Sequence, residues 1–205
     1  MKLVKPSFLL RSLYPSLIWK LGSNEKKLYL SFDDGPIPEV TPWVLEQLRI
    51  YKAKATFFCV GDNVRKYPHL KKAILEEQHK IGNHSNNHLN GWHTDNDLYF
   101  ANVETAAKVI DSKLFRPPYG KIKRKQIAHL KSTYNIIMWD VLSYDFNAKV
   151  SAEQCLQNVI ENAENGSIVV FHDSIKAWKN LEFALPKTLA HFADKGYKFE
   201  VIPDF

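Results

Sequence analysis

Leu28-Tyr29-Leu30-Ser31-Phe32-Asp33-Asp34-Gly35-Pro36 runs an apolar stretch of strand length straight into two adjacent carboxylates and two backbone punctuators. Successive strand residues point to opposite faces, so a bend at Gly35-Pro36 lets Asp33 and Asp34 serve different tasks around one point. Taken alone, the segment equally fits a solvated Asp-Gly turn. What surrounds it in the chain decides between the two.

Outward from this strand, apolar runs of strand length alternate with longer stretches of helical periodicity, the pattern of successive βα units. Thr41-Pro42 reads as an N-cap followed by proline at the first helical position, with Trp43, Leu45 and Leu48 as the apolar face. Residues 56–60 read as a second strand, 63–78 as one helix, and 80–83 as a third strand running into His84. Helices at 97–113 and 124–133 precede extended segments at 114–118 and 135–141. Ser151 with Gln154 forms a capping-box signature. Residues 167–173 read as a buried strand, followed by a helix in which Pro186 is tolerable only in the first turn and which stops near Gly196, ahead of a last strand at 197–202. The expectation is an α/β single domain, a distorted (β/α) barrel with about seven strands over residues 25–205. Residues 1–24 form a lead-in that packs over it.

The segments that carry chemistry stand at the ends of these strands. Asn83-His84-Ser85-Asn86-Asn87-His88 places two histidines four apart, which on one helical turn share a face and reach a single ion. A surface pair is the plainer reading. With Asp34 they make three ligands and leave positions open, the arrangement of a catalytic zinc. In Phe115-Arg116-Pro117-Pro118-Tyr119-Gly120 the tandem prolines force an extended path, and Arg116 is suited to pairing with a buried carboxylate. Asp140 and Asp145 lie in Trp139–Phe146, and His172 precedes Asp173. Each has a bland reading as a core or loop residue. Their joint placement at C-terminal strand ends, where barrel enzymes assemble their sites, argues otherwise.

In order, Ser31 to Pro36, His84 to His88, Arg116 to Tyr119, Asp140 to Phe146 and Val170 to His172 resemble the five motifs of the NodB-like polysaccharide deacetylases, carbohydrate esterase family four. The match spans roughly residues 28–202. The resemblance implies a barrel with fewer than eight strands, a divalent metal (Zn2+ first, with Co2+, Ni2+ or Mn2+ as alternatives), and removal of N-acetyl or O-acetyl groups from an N-acetylated sugar polymer or oligosaccharide. It implies Asp34, His84 and His88 as metal ligands, Asp33 as catalytic base, His172 as general acid, Arg116 as the group that orients Asp33, and the Tyr119 N–H as an oxyanion donor. One departure matters. The fourth motif of the family opens with an aspartate that supports the catalytic histidine, and the matching position here is Leu142; the closing tryptophan is Phe146. Asp140, two residues earlier on the same predicted strand and hence on the same face, is expected to take over; Asp145 is the other candidate.

Two competing readings of function remain: a hydrolase of the same fold acting on a non-sugar amide, and a catalytically weak glycan-binding protein, suggested by the altered fourth motif. A two-His, one-carboxylate set also describes non-haem iron oxygenases, but that reading leaves the second acid, Asp33, unexplained. The chain has 205 residues, with 28 Lys+Arg against 22 Asp+Glu, a formal charge of +6. The cations are scattered and not interleaved with aromatics, which argues against nucleic acid as a partner. Cys59 and Cys155 form no CxxC or Cys/His spacing and read as reduced core residues. Lys2 and Lys5 resemble a signal n-region, but Arg11 and Pro15 interrupt the apolar stretch. No run reaches the length of a membrane span. A cytoplasmic chain is expected, with a peripheral or exported form as the alternative. Trp92, Tyr119, Trp139 and Trp178 are candidate sugar-stacking faces, although burial is the commoner fate of such rings.

Overall fold

A computed structural model describes residues 4–22 and 24–205; Lys2 and the rest of 1–3, with residue 23, lie outside the described residues. The sheet is built around β1 (Lys27–Asp33). It pairs in parallel with β2 (Ala55–Cys59) on one side and β7 (Ile168–His172) on the other. Beyond β2 follow β3 (Lys80–Asn83), β4 (Leu114–Phe115) and β5 (Asn135–Ile136); beyond β7 lies β6 (Val141–Leu142). Seven parallel strands thus form one curled path, and β8 (Lys198–Phe199) pairs beside the start of β1. The distorted (β/α) barrel with about seven strands expected from the chain is realised as a curled half-barrel.

Strand parity sorts β1. Leu28, Leu30 and Phe32 face the helical layer, with Phe32 stacked on Phe57 and Phe171 at ring separations of 5.1 and 6.2 Å. Tyr29, Ser31 and Asp33 alternate with them and face the inside of the barrel, where Tyr29 packs with Phe58, Leu114, Ile137 and Ile168. The helices are α2 (Thr41–Ile50), α3 (Gly61–Lys66), α4 (Pro68–Glu76), α5 (Asn96–Ala107), α6 (Arg124–Leu130), α7 (Ala152–Ile160) and α8 (Trp178–Asp194). The lead-in carries a short helix, α1 (Phe8–Leu13), and then an extended piece that spans the open side of the sheet. There Ile18 N–H bonds Ile136 O at 2.9 Å and Leu21 N–H bonds Gly166 O at 2.9 Å.

Several elements differ from expectation. The predicted helix over 63–78 is broken by Pro68, which has no N–H and starts α4 afresh. Val40, not Thr41, is the N-cap of α2; the Thr41 hydroxyl is used elsewhere. Pro186 sits well inside the 17-residue α8, whose Leu181, Ala184, Leu185, Leu189 and Phe192 are buried, so packing outweighs the roughly 3 kcal/mol cost of an interior proline. The single strand expected over 135–141 is two strands at opposite edges of the path, because the chain crosses the open side between them and Met138 N–H bonds Ile18 O at 2.7 Å.

Candidate active site

The end of β1 is held by a carboxylate that sequence reading passed over. Asp173, 1% exposed, accepts from Gly35 N–H at 3.1 Å and from the Thr41 hydroxyl at 2.6 Å, while that hydroxyl accepts from Ile37 N–H at 2.8 Å. A Cβ at Gly35 would stand 2.0 Å from Asp173 Oδ2, so only glycine lets the turn close. Burial, chiefly, raises the Asp173 pKa to about 8, with the Asp34 charge adding to it and the Thr41 bond opposing. Asp34 then adopts a left-handed φ of 80° and turns its carboxylate away from the line of β1.

Asp33 points inward and meets Arg116, which is fully buried. The guanidinium donates to Asp33 Oδ1 at 2.6 Å and Ser31 Oγ at 2.8 Å through Nη1, to Met138 O at 2.9 Å through Nη2, and to Ile137 O at 3.3 Å through Nε; it also lies 4.0 Å over the Phe58 ring. One oxygen of Asp33 is thus fixed, and the other faces the cleft 4.0 Å from His84 Nε2.

His84 Nδ1–H donates to Arg116 O at 2.8 Å, which selects the tautomer whose Nε2 lone pair faces Asp34 at 3.7 Å. His88 Nε2 lies 3.1 Å from the same Asp34 oxygen. One ligand atom from each of Asp34, His84 and His88 falls within 4.8 Å of the others, so the donor set fits a divalent cation. The expected helical turn is not what joins the histidines: Ser85 and His88 adopt left-handed φ values of 63° and 61°, and a loop bends back to bring the rings 5.1 Å apart. Asn83 shapes that loop, accepting from Ser85 N–H at 2.8 Å. Burial above all lowers the His84 pKa to about 4, against the pull of Asp33 and Asp34, leaving a neutral imidazole at neutral pH. For Asp34, burial pushes upward, but the His88 bond and the charges of His172, His84 and His88 outweigh it and hold the carboxyl well below the usual range.

Across the cleft, His172 ends β7. Its Nδ1 lies 2.8 Å from Asp145 Oδ1, and its backbone N–H donates to Asp145 Oδ2 at 2.6 Å, so one buried carboxylate grips both ring and backbone. Burial lowers the imidazole pKa, but Asp145, by charge and hydrogen bond, and then Asp34 and Asp33 raise it to about 9. The expectation that Asp140 supports His172 is therefore wrong. Asp140 N–H bonds Ile168 O at 2.9 Å, at the opposite end of β7 from His172. Four residue steps along β7 separate those two levels, about 13 Å. Parity gave Asp140 a face and said nothing of its height; its carboxylate is taken by Arg11, by Lys5 at 3.5 Å and by Ser167 Oγ–H at 2.5 Å.

These groups line a cavity of about 520 Å³, with Tyr119, Trp139, Leu142, Tyr144, Phe146 and Lys176 around them. Tyr119 has a left-handed φ of 60° and packs its ring edge to face with His88 at 4.4 Å. Of the candidate stacking aromatics, Tyr119 and Trp139 reach the cavity. Trp178 packs against Trp43 at 5.0 Å, and Trp92 donates to Ile122 O at 3.2 Å. Tyr144 and Phe146 were not foreseen as walls; they follow from the same strand end that supplies Asp145. Both cysteines are buried and free. Among the described residues no helix is long and apolar enough to cross a membrane.

A basic carboxylate beside a cation site, faced by a histidine that keeps its proton, serves water attack on an acyl carbon with a proton to be accepted on one side and delivered on the other. The class is thus that of metal-assisted acyl hydrolases built on a (β/α) barrel. Residues 20–134 match the family model described as polysaccharide deacetylase. A peptidoglycan-N-acetylglucosamine deacetylase of Bacillus cereus is 35% identical over 193 residues, covering 91% of each chain. A chitooligosaccharide deacetylase of Azorhizobium caulinodans is 31% identical over 163 residues, 75% of this chain and 77% of its own. The crystal structure of a peptidoglycan N-acetylglucosamine deacetylase in complex with 4-naphthalen-1-yl-N-oxidanyl-benzamide superposes with a TM-score of 0.87 at 30% identity, covering 97% of this chain and 95% of that one. The chain belongs to the polysaccharide deacetylase family.

Proposed function

We propose that the chain removes acetyl groups from N-acetylglucosamine units of a glycan, with peptidoglycan and chitin-type oligosaccharides as the first substrates to test, and with zinc as the ion held by Asp34, His84 and His88. The observation that carries this reading is the convergence, in one cavity, of an Arg116-held Asp33 beside the three-ligand set and an Asp145-held His172 opposite. Two histidine nitrogens and one carboxylate oxygen suit zinc, and Co2+, Ni2+ and Mn2+ accept the same donors. A bound divalent ion acidifies water and polarises an acyl carbonyl.

The chain's own residues do the rest. Asp33, held by Arg116, accepts the proton of the attacking water. The Tyr119 N–H, which has no acceptor among the described residues, donates to the acetyl oxygen as it gains negative charge. His172, protonated at neutral pH, gives its proton to the departing sugar amine. Tyr119, Trp139 and Phe146 offer ring faces to the pyranose. An oxygenase needs neither the Asp33–Arg116 pair nor the His172–Asp145 pair, and a glycan binder needs no proton donor held charged. Acetate release from N-acetylglucosamine oligomers, peptidoglycan and acetylated xylan tests the proposal. Release from at least one N-acetylated glycan is expected. Release from none, by zinc-loaded protein, would leave a binder.

A further inference from the structure

Asp140, excluded from catalysis, shows what the lead-in is for. It is fully buried, and its carboxylate is shared by Arg11 and Lys5 of the lead-in and by Ser167. An ion pair with one fully buried partner is costly to break, so these contacts clamp α1 to the barrel. The inner side of α1 is set by Leu10 and Tyr14, which pack against the cluster containing Ile127 and Leu130. At about 100° per residue, Phe8, Leu9, Ser12 and Leu13 then occupy an outward arc of about 140°. Phe8 is 86% exposed, Leu9 68% and Leu13 52%. Ordinary surfaces scatter single apolar residues; this one gathers three on one short clamped helix.

The rim of that arc is basic. The Arg124 guanidinium lies 5.8 Å over the Tyr14 ring, one residue beyond Leu13, with exposed Lys125 next in the chain; Lys5, Arg11 and Lys20 of the lead-in add positive charge that is already paired with acids. The acids that face these cations are Asp140 and Glu164. Outward Phe and Leu with flanking Lys and Arg are the composition that lies in an anionic lipid interface. A second copy of the chain fits less well: three such side chains present on the order of 400 Å², about half the ~800 Å² per partner of a stable protein interface.

We propose that Phe8, Leu9 and Leu13, with their basic rim, form a docking face for an anionic phospholipid surface. The inference does not depend on the deacetylase reading. The test is co-sedimentation of the full chain with phosphatidylglycerol-containing vesicles and with pure phosphatidylcholine vesicles. The parent chain should bind the anionic vesicles, bind the neutral ones weakly, and release as salt is raised. The F8S/L9S/L13S variant should bind at least about tenfold more weakly, since it loses the inserted apolar area. It should unfold at the parent temperature and deacetylate a soluble oligosaccharide unchanged, because none of the three lines the cleft. If that variant fails to fold, R124E/K125E on the outside of α6 should show the same loss of binding. A parent chain that stays in the supernatant with both vesicles, or variants that bind like the parent, would overturn the proposal. A concentration-dependent dimer abolished by the triple substitution would assign the face to a second copy instead.

Discussion

Replacing Asp145 with Asn removes the charge that keeps His172 protonated while leaving a side chain of nearly the same shape. Asp145 Oδ1 stands 2.8 Å from His172 Nδ1 and both groups are buried. Unit charges about 4 Å apart at an effective dielectric near 20 interact by about 4 kcal/mol, and opposite charges at such range move a pKa by about 1–3 units, or about 1.4–4 kcal/mol. The acid form of His172, which persists to about pH 9, should then titrate between roughly pH 6 and 8. A general acid is active while protonated, so the alkaline limb of the kcat/KM profile for acetate release should move to lower pH by that amount. The same linkage acts on stability. With the folded pKa near 9 and 6.5 for the free imidazole, the pair stabilises fully below pH 6.5, progressively less up to 9, and not above; unfolding of D145N should lack this dependence. Asp140→Asn is the matched control and should leave the profile unchanged. An unshifted alkaline limb in D145N would refute the assignment of His172 as acid.

Asp33→Asn should retain one bound zinc by metal analysis yet lose about 10²–10⁴-fold in kcat, since an amide cannot take the water's proton. Arg116→Ala leaves Asp33 buried and unpaired and should cost about 3–5 kcal/mol in urea unfolding; a cost within 1 kcal/mol would mean that Asp33 is solvated from the cleft. Gly35→Ala forces a Cβ against Asp173 and should lower both stability and zinc affinity, whereas alanine at Gly196, where nothing lies within 4 Å, strains only its left-handed φ of 77°. Zinc bound as tightly by G35A as by the parent would show that the turn is not what sets Asp34.

The parallel βα order, the strand ends that bear Asp33, His84, Arg116 and His172, and the inward face shared by Ser31 and Asp33 were legible because periodicity and parity are local. Axial level was not. Asp140 and Asp145 differ in which end of β7 they adjoin, and that depends on how 137–140 cross the open barrel beneath the lead-in. Nor does any sequence signal mark Ser85, His88 or Tyr119 as left-handed, since none is glycine. Asp173 could have been found: it follows His172 at a strand end, one register step from Asp33, and a buried acid there needs donors. Pro68, which has no N–H to continue a helix, marks in the sequence itself the break between α3 and α4.

The central claim is that a cation held by Asp34, His84 and His88 is required for acetate release. It is tested most directly by depleting the protein of metal with a chelator, titrating zinc back, and following acetate release from an N-acetylglucosamine oligomer, in the parent and in H84A/H88A. The account predicts no release after depletion, recovery that saturates at one equivalent in the parent, and no recovery in the double variant. Full release by the depleted parent, or recovery of H84A/H88A at the same single equivalent, would contradict it.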